Sequence, residues 1–390
     1  MKRLFIIGAS VLQIPAIRRA RELGLQVAVA DFNPGAAGIP LADQYYNVST
    51  IDEEGICRAA KDFRADGVMT LATDMPMRAL AYTCSSLGLT GLSYESAVRA
   101  TDKGEMIRAF QAAGVAHPWY QVVPAGRTPD RGYTFPLVVK PTDNSGSRGV
   151  MLVNRETELE DALQYASQNG RSGSVIIEEY LRGPEVSVEI MVTGGRPHVL
   201  QVTDKLTTGA PHFVEMGHSQ PSRLSEDAQD AIRDLACRAA IAVGIEDGPA
   251  HAEIILTEEG PKMVEIGARM GGDCITTHLV PLSTGIDMVE GTIRVALGQQ
   301  PDLTRRLNKG AAIRYFTTKC GVLRSIGGAE DARRLRGVRE VTFVREPGDK
   351  VGAIGSSGDR IGFVIAQADT AEEAVQICEE AIRMVHISVE

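Results

Sequence analysis

Short apolar runs alternate with amphipathic stretches along the first hundred residues. Leu4-Phe5-Ile6-Ile7 reads as a strand that stops at Gly8. A helical pattern follows to Leu23 and breaks at Gly24, and 27–30 is apolar again before Asp31. A further unit ends in the run 68–71 and Thr73-Asp74. Strand, helix, strand, helix predicts a parallel sheet covered by helices, so residues 1–100 are expected to form a doubly wound α/β domain. The pattern then changes. Thr101-Asp102-Lys103 opens a helix, with Asp or Thr as its cap, and Gly114 closes it. Strands at 135–140, 150–153, 175–177 and 186–192, with a helix at about 156–168, predict a small α+β module, and 195–202 returns as a hairpin partner. Residues 204–224 are polar and rich in Gly, Pro and His, and are expected as one long functional loop. Ala228, Ala231, Ile232, Leu235, Ala239 and Ala242 give the helix at 226–243 a buried face. Beyond 310, the runs 311–317, 338–344 and 361–366 and a helix at 370–384 predict a C-terminal α+β cap.

One stretch carries chemistry as well as structure. His251-Ala252-Glu253-Ile254-Ile255-Leu256 and Met263-Val264-Glu265-Ile266-Gly267 flank a Gly-Pro break, which predicts a β-hairpin. With the turn centred on Glu259, Glu253 pairs directly with Glu265. Alternation sends Ala252, Ile254, Val264 and Ile266 to one face and Glu253, Glu265 and Gly267 to the other. Like charges directly opposite each other destabilise a sheet. A divalent cation between them removes the conflict, and oxygen-only donors suit Mg²⁺ or Mn²⁺ with phosphate oxygens completing the shell. The hairpin therefore points to an enzyme that handles a nucleotide phosphate.

Composition narrows the class. The chain has 390 residues, 44% of them apolar, and a net charge of −9. That size allows two to four domains, and the acidic balance argues against a nucleic-acid partner. The cysteines at 57, 84, 237, 274, 320 and 378 are scattered, as in a chain kept in a reducing cytosol. The N-terminal apolar run is too short for a signal peptide, and no run approaches a membrane span, so a cytoplasmic location is expected and no membrane partner. Gly8-Ala9-Ser10 with Asp31 matches half of a dinucleotide fingerprint, but Ser10 and Gln13 stand where glycines are needed, which argues against a nicotinamide site. The carboxyl ends of these strands, with Asp74, are instead expected to wall a substrate crevice.

Further residues fall into place around the glutamate pair. Lys140 closes an apolar strand shortly before the loop Ser145-Gly146-Ser147-Arg148-Gly149, where a lysine and backbone N–H groups can meet anionic oxygens. Lys103 is a second candidate of the same kind. Glu178-Glu179-Tyr180-Leu181 follows a strand and can offer backbone groups to a base edge, with Glu185 as an acceptor for hydroxyls. Arg269 continues the parity of Glu265 and points to the metal face, where a fixed cation can stabilise a phosphoryl group in transfer. His251 shares that face and lines the site.

Together these pieces resemble the ATP-grasp superfamily over most of the chain. The resemblance rests on the α/β domain, Lys103 and Lys140, the loop 145–149, the segment 178–181, and Glu265-Ile266-Gly267-Ala268-Arg269-Met270-Gly271-Gly272. It implies an N-terminal doubly wound parallel-sheet domain (1–100), an ATP-grasp fold (101–305, with a lid at about 115–185) and a small C-terminal α+β subdomain (306–390). It also implies that Lys103 and Lys140 hold ATP phosphates while the loop, Ser145, Gly146, Ser147 and Gly149 included, closes over them. Glu178, Glu179, Tyr180 and Leu181 grip adenine, Glu185 takes the ribose hydroxyls, Glu253 and Glu265 bind Mg²⁺ (or Mn²⁺), and Arg269 assists an acyl-phosphate step. The superfamily usually reads Glu-x-Asn-x-Arg at the second glutamate; here Gly267 replaces the asparagine, as in the amino-acid and other carboxylate–amine ligases. The stretch from Phe213 to Ser222 is similar to that L-amino-acid-ligase-like branch.

The activity so implied has two steps. A carboxylate attacks the γ-phosphate of ATP to give an acyl phosphate and ADP, and an amine then displaces phosphate to form an amide. The expected partners are small-molecule carboxylates and amines, amino acids among them, and a homodimer is what the resemblance suggests. Lys205, Glu215 and His218, with His278 as a lesser candidate, are expected near these substrates. The alternative within the superfamily is a purine-pathway or carbamoyl-phosphate type of enzyme that activates glycine or bicarbonate. A nicotinamide oxidoreductase and a catalytically silent ATP sensor are the readings from other classes.

Overall fold

A computed structural model describes every residue of the chain except Ser147, Pro211 and His212. Four strands, β1 (Arg3–Ile7), β2 (Gln26–Ala30), β3 (Gln44–Tyr46) and β4 (Gly67–Met69), form a parallel sheet in the order β3-β2-β1-β4. Alternation divides their side chains between two cores. Phe5, Ile7, Ala28 and Ala30 pack with helices Glu53–Phe63 and Met77–Leu87, while Leu4, Ile6, Val27 and Val29 pack with helix Ile14–Glu22. Helix Met288–Ala296, from far along the chain, joins the second core through Met288, Val289 and Ile293. Helices on both faces of a parallel sheet are the doubly wound arrangement that the sequence predicts. The half-fingerprint at Gly8 is a closed turn. Ala9 N donates to Asp31 Oδ2 and Ser10 N to Gln13 Oε1, so these donors are spent on the protein itself rather than on a pyrophosphate.

The second unit is a four-stranded antiparallel sheet of β5 (Tyr120–Val123), β6 (Leu137–Pro141), β7 (Met151–Val153) and β8 (Val175–Glu179), in the order β5-β8-β6-β7. Helix Leu159–Asn169 covers it, and Leu137, Val139, Val153, Ala162 and Ile177 make a core of its own.

The third unit carries most of the site. It starts with β9 (Glu185–Thr193), β10 (Arg196–Thr207), β11 (Glu215–Gln220), β12 (Gly248–Thr257) and β13 (Gly260–Gly267). The C-terminal part adds β14 (Gly310–Tyr315), β15 (Gly321–Gly327), β16 (Val338–Phe343), β17 (Lys350–Val351), β18 (Gly362–Ala368) and β19 (His386–Val389). Eight of these strands form one sheet, β13-β12-β9-β10-β11-β14-β18-β16, which runs unbroken from the glutamate hairpin into the C-terminal region. Helix Glu226–Val243 buries Ile232, Leu235 and Ala239 against it, as expected, although Ala231 faces out and Ala236, Ala240 and Val243 complete the face.

The expected long loop at 204–224 is corrected. Asp204 and Lys205 belong to β10 and pair with Ser219 and His218 of β11. Their side chains are buried against other charged groups rather than apolar ones, so hydrophobic alternation gives no sign of the strands. The short strands β5, β15, β17 and β19 escape the pattern for a related reason, being edge or surface pieces with mixed composition. Among the described residues no helix is long and apolar enough to cross a membrane.

Candidate active site

β12 and β13 bring Glu253 directly opposite Glu265, with Ala252 opposite Ile266. The turn is one residue tighter than expected: Thr257 pairs with Gly260, and Glu258-Glu259 is the loop. A bulge between Glu253 and Ile254 absorbs the difference, so Ile254 faces Met263 instead of Val264. Met263 therefore enters the core, and Val264, expected on the core face, lines the site cavity.

Cations balance both carboxylates. Lys103 is the first residue of helix Lys103–Ala112, fixed there because Asp102 caps the Glu105 N–H. Its Nζ lies 2.9 Å from Glu265 Oε2 and donates to Asn144 O at 2.8 Å. Burial lowers the affinity of Lys103 for its proton, but Glu265 more than offsets this and the pKa is raised. Lys205 stands at the centre of three carboxylates, 2.6 Å from Glu185, 3.1 Å from Glu253 and 3.8 Å from Glu215. Burial opposes its charge as well, yet these neighbours hold it well above the ordinary lysine value. Glu253, buried beside Lys205 and His251, is held well below the carboxylate range. Glu185 moves up, through burial and the repulsion of Glu253 and Glu215, against the pull of Lys205. Lys140 and Glu178 form a separate buried pair at 2.7 Å.

Lys103, Lys140, Gly146, Glu178, Glu179, Tyr180, Leu181 and Glu185 line one cavity with the glutamate pair. Glu179 N and Tyr180 N donate to Trp119 O and Pro136 O, which pins the segment after β8 along the cavity wall. Tyr180 packs against Phe213, and Glu179 pairs with Lys262 at 2.9 Å. Ser145 lies beside Lys103 and Glu265, and Gly149 is buried behind the loop, away from the cavity. Ser147 lies outside the described residues.

A second chamber opens from the first through Gly146, Lys205, Glu215, Glu253 and Glu265, and adds Asp74, His218, His251 and Arg269. Arg269 Nε lies 2.9 Å from Asp74 Oδ1, which ties the hairpin to the loop after β4. Burial disfavours the Asp74 carboxylate, but Arg269 outweighs it and keeps the pKa low. His251 does line the site, clasped between Glu189 at 2.9 Å and Glu253 at 3.4 Å. Burial pulls its pKa down and Glu189 pulls it up, leaving it at about 9. Gly271 makes this clasp possible, since a Cβ there would stand 2.7 Å from His251 Nδ1 and 2.9 Å from Glu189 Oε2. His218 Nε2 reaches Asp273 Oδ2 at 3.4 Å, and Arg360 grips both Asp273 oxygens at 2.7 Å. His278 is not in this chamber; it lines a neighbouring cleft, paired with Glu340 at 3.3 Å.

Sequence reasoning missed Glu189, Asp273 and Arg360. Glu189 had a signal, as the one charge inside the apolar run 186–192 and directly opposite His251 in the register. Arg360 had none, because only the fold of the C-terminal strands carries it to Asp273.

Residues 133–277 match the ATP-grasp domain family, and 314–390 match the L-amino acid ligase C-terminal domain 2 family. The chain belongs to the ATP-grasp superfamily. It is similar to human carnosine synthase 1, 24% identical over 78% of this chain and 41% of that protein. It is also similar to the alanine–anticapsin ligase of Bacillus subtilis strain 168, 27% identical over 64% of this chain and 58% of that one. The chain thus spans less than two thirds of either relative's length. A crystal structure of an L-amino acid ligase from Bacillus licheniformis shares the fold, with a TM-score of 0.89 at 24% identity over 100% of this chain and 99% of that one.

ATP-grasp ligases use ATP, and the donor set here suits the phosphate-bound divalent ion expected with it. Two carboxylates face each other on one cavity wall, and each is balanced by an ammonium group, the charge a dication would replace. Among the described residues no cluster of three or more His, Cys, Asp or Glu able to hold a metal is present, so phosphate and water must complete any shell. Where the superfamily usually has asparagine, a Cβ on Gly267 would stand 3.0 Å from Asp74 Oδ1 and 3.1 Å from Arg269 Nε. The Asp74–Arg269 pair occupies the space of the missing side chain.

Proposed function

We propose that this chain activates the carboxylate of one amino acid with ATP and joins it to the amine of a second, forming a peptide or related amide with release of ADP and phosphate. The observation that carries this reading is the continuity of two chambers. The cavity lined by Lys103, Lys140 and Tyr180 shares Glu253 and Glu265 with the chamber that holds Arg269 and Asp74. A nucleotide with its base against Tyr180 and Leu181 would direct its phosphates to the glutamate pair, where a carboxylate in the second chamber could meet them.

Each residue then has a task. Lys103 and Lys140 balance phosphate charge, and the loop with Ser145, Gly146 and Ser147 closes over them, with Gly149 at its buried base. Glu178, Glu179, Tyr180 and Leu181 hold the base, and Glu185 shares Lys205 with the ribose hydroxyls. Mg²⁺ (or Mn²⁺) held by Glu253 and Glu265 would supply further charge neutralisation at the phosphates. Arg269, already oriented by Asp74, stabilises charge at the transferring group. His218 is our candidate to take the proton of the amine. Its Nε2 lies 3.4 Å from Asp273 Oδ2, which orients the ring in the second chamber. Lys205 orders the carboxylates around both substrates.

We retain the division into 1–100, 101–305 and 306–390, with 115–185 as a lid that excludes water from the acyl phosphate; the separate core of β5–β8 supports motion as a unit. A homodimer belongs to the same proposal and is read by sedimentation. The names of the relatives, a carnosine synthase and an alanine–anticapsin ligase, support small amino-acid substrates.

The test is a phosphate-release screen with Mg²⁺-ATP and pairs of amino acids, with product masses read in parallel. Release should require two substrates, Glu265→Ala should abolish it, and Lys140→Ala should raise the KM for ATP. Release that depends on bicarbonate or a phosphoribosylamine instead would favour the purine-type alternative.

A further inference from the structure

Beyond the second chamber lies a cleft of about 490 Å³ that the proposed chemistry leaves unused. It shares Ala72, Gly272, Asp273 and Ser357 with that chamber and, among the described residues, none with the nucleotide cavity. The three spaces therefore follow in line: nucleotide, reacting groups, cleft. Its walls come from four parts of the chain: the turn after β1, the loop after β4, the segment after Arg269, and the C-terminal region.

The accessible lining is mostly apolar. Leu71 and Tyr315 are buried in its floor and Phe363 is half-buried beside them. Val11, Leu12 and Val344 line it while 68%, 46% and 58% exposed, so three large apolar side chains from two distant segments are left facing the same opening. Scattered exposed apolar residues are ordinary, but a convergent set around one concavity marks a binding surface. The charged groups of the lining are already matched, Asp273 with Arg360 and His278 with Glu340. A charged side chain entering here would lose water without gaining a partner, whereas an apolar one would gain burial.

We propose that this cleft receives the apolar side chain of one of the two amino-acid substrates, so that the chain selects leucine-, methionine- or phenylalanine-like groups over alanine. The proposal rests on the ligase reading for its substrates and on the cleft alone for its selectivity. A volume of about 490 Å³ falls within the roughly 300–1,000 Å³ of small-molecule pockets and exceeds what a methyl group could fill.

Two measurements test it. In the first, alanine, valine, leucine, methionine and phenylalanine are each paired with alanine under Mg²⁺-ATP. The kcat/KM for leucine, methionine or phenylalanine should exceed that for alanine by about tenfold or more. Fragment masses of the product tell whether the selected residue gave the carboxylate or the amine. Leu12→Asp should raise the KM for phenylalanine at least about tenfold and leave the KM for ATP unchanged. A flat profile overturns the proposal and leaves the ligase reading intact. In the second, calorimetry with a non-hydrolysable ATP analogue and Mg²⁺ should show phenylalanine binding to the wild type and not to Leu12→Asp. If that holds while no amino-acid pair releases phosphate, the cleft stands and the ligase reading falls. If Leu12→Asp instead dissociates a dimer and leaves the substrate profile unchanged, the surface is a self-interface and the proposal is overturned.

Discussion

Arg269 and Asp74, 195 positions apart, form a two-point clasp, with Nε 2.9 Å from Oδ1 and Nη2 3.2 Å from Oδ2. The clasp joins the parallel sheet to the glutamate hairpin and aims a guanidinium into the second chamber.

Removing the carboxylate should therefore be felt in both stability and turnover. Breaking a buried pair typically costs about 3–5 kcal/mol, since one charge is left without its partner. Asp74→Ala should lose stability on that scale in urea unfolding, and Asp74→Asn, which keeps an oxygen acceptor, should lose less. Identical midpoints for wild type and Asp74→Ala would show that the clasp contributes nothing.

Gly271→Ala puts a methyl group against His251 and Glu189, so the pair must shift and Glu253 with it. Overpacking of this kind costs about 1–3 kcal/mol. A displacement of about 1 Å in a catalytic constellation can lower turnover on the order of 100-fold. Phosphate release should fall far more than the melting temperature. A variant with full activity would remove the Glu189–His251 clasp from any part in positioning Glu253.

Lys205→Ala leaves Glu185, Glu215 and Glu253 without their shared cation. The variant should be destabilised by about 3–5 kcal/mol in metal-free buffer. Mg²⁺ should then raise its melting temperature more than it raises that of the wild type, because a dication can take the vacant charge position. Equal Mg²⁺ responses would argue against a metal at Glu253.

Acid stability should depend on Asp273. Burial opposes its charge, but the hydrogen bonds from Arg360 and His218 outweigh this and hold the carboxyl below its ordinary range. A depressed carboxyl contributes stability that is complete above its unfolded value, about 3.9, and is lost as pH falls through the folded value. The wild type should thus lose stability more steeply than Asp273→Asn below about pH 4. Urea midpoints of both proteins across that range decide it, and parallel curves would clear Asp273.

What the sequence by itself determined was local. Alternation with a period of two put Glu253 and Glu265 on one face, and the spacing of apolar runs announced the parallel sheet, because both follow from neighbours a few residues apart. Asp102 marked the helix start that fixes Lys103. The tertiary structure decided what depends on distant partners. It flipped Val264 to the site through a bulge that matches turn length to register. It turned the polar stretch 204–224 into paired strands, because Lys205 is buried among carboxylates contributed by β9, β11 and β12 rather than among apolar groups. It also brought Arg360 to Asp273 and Arg269 to Asp74. Charge pairs between remote segments leave no periodic trace in a chain, since their only requirement is that the fold bring two opposite charges within a few ångströms.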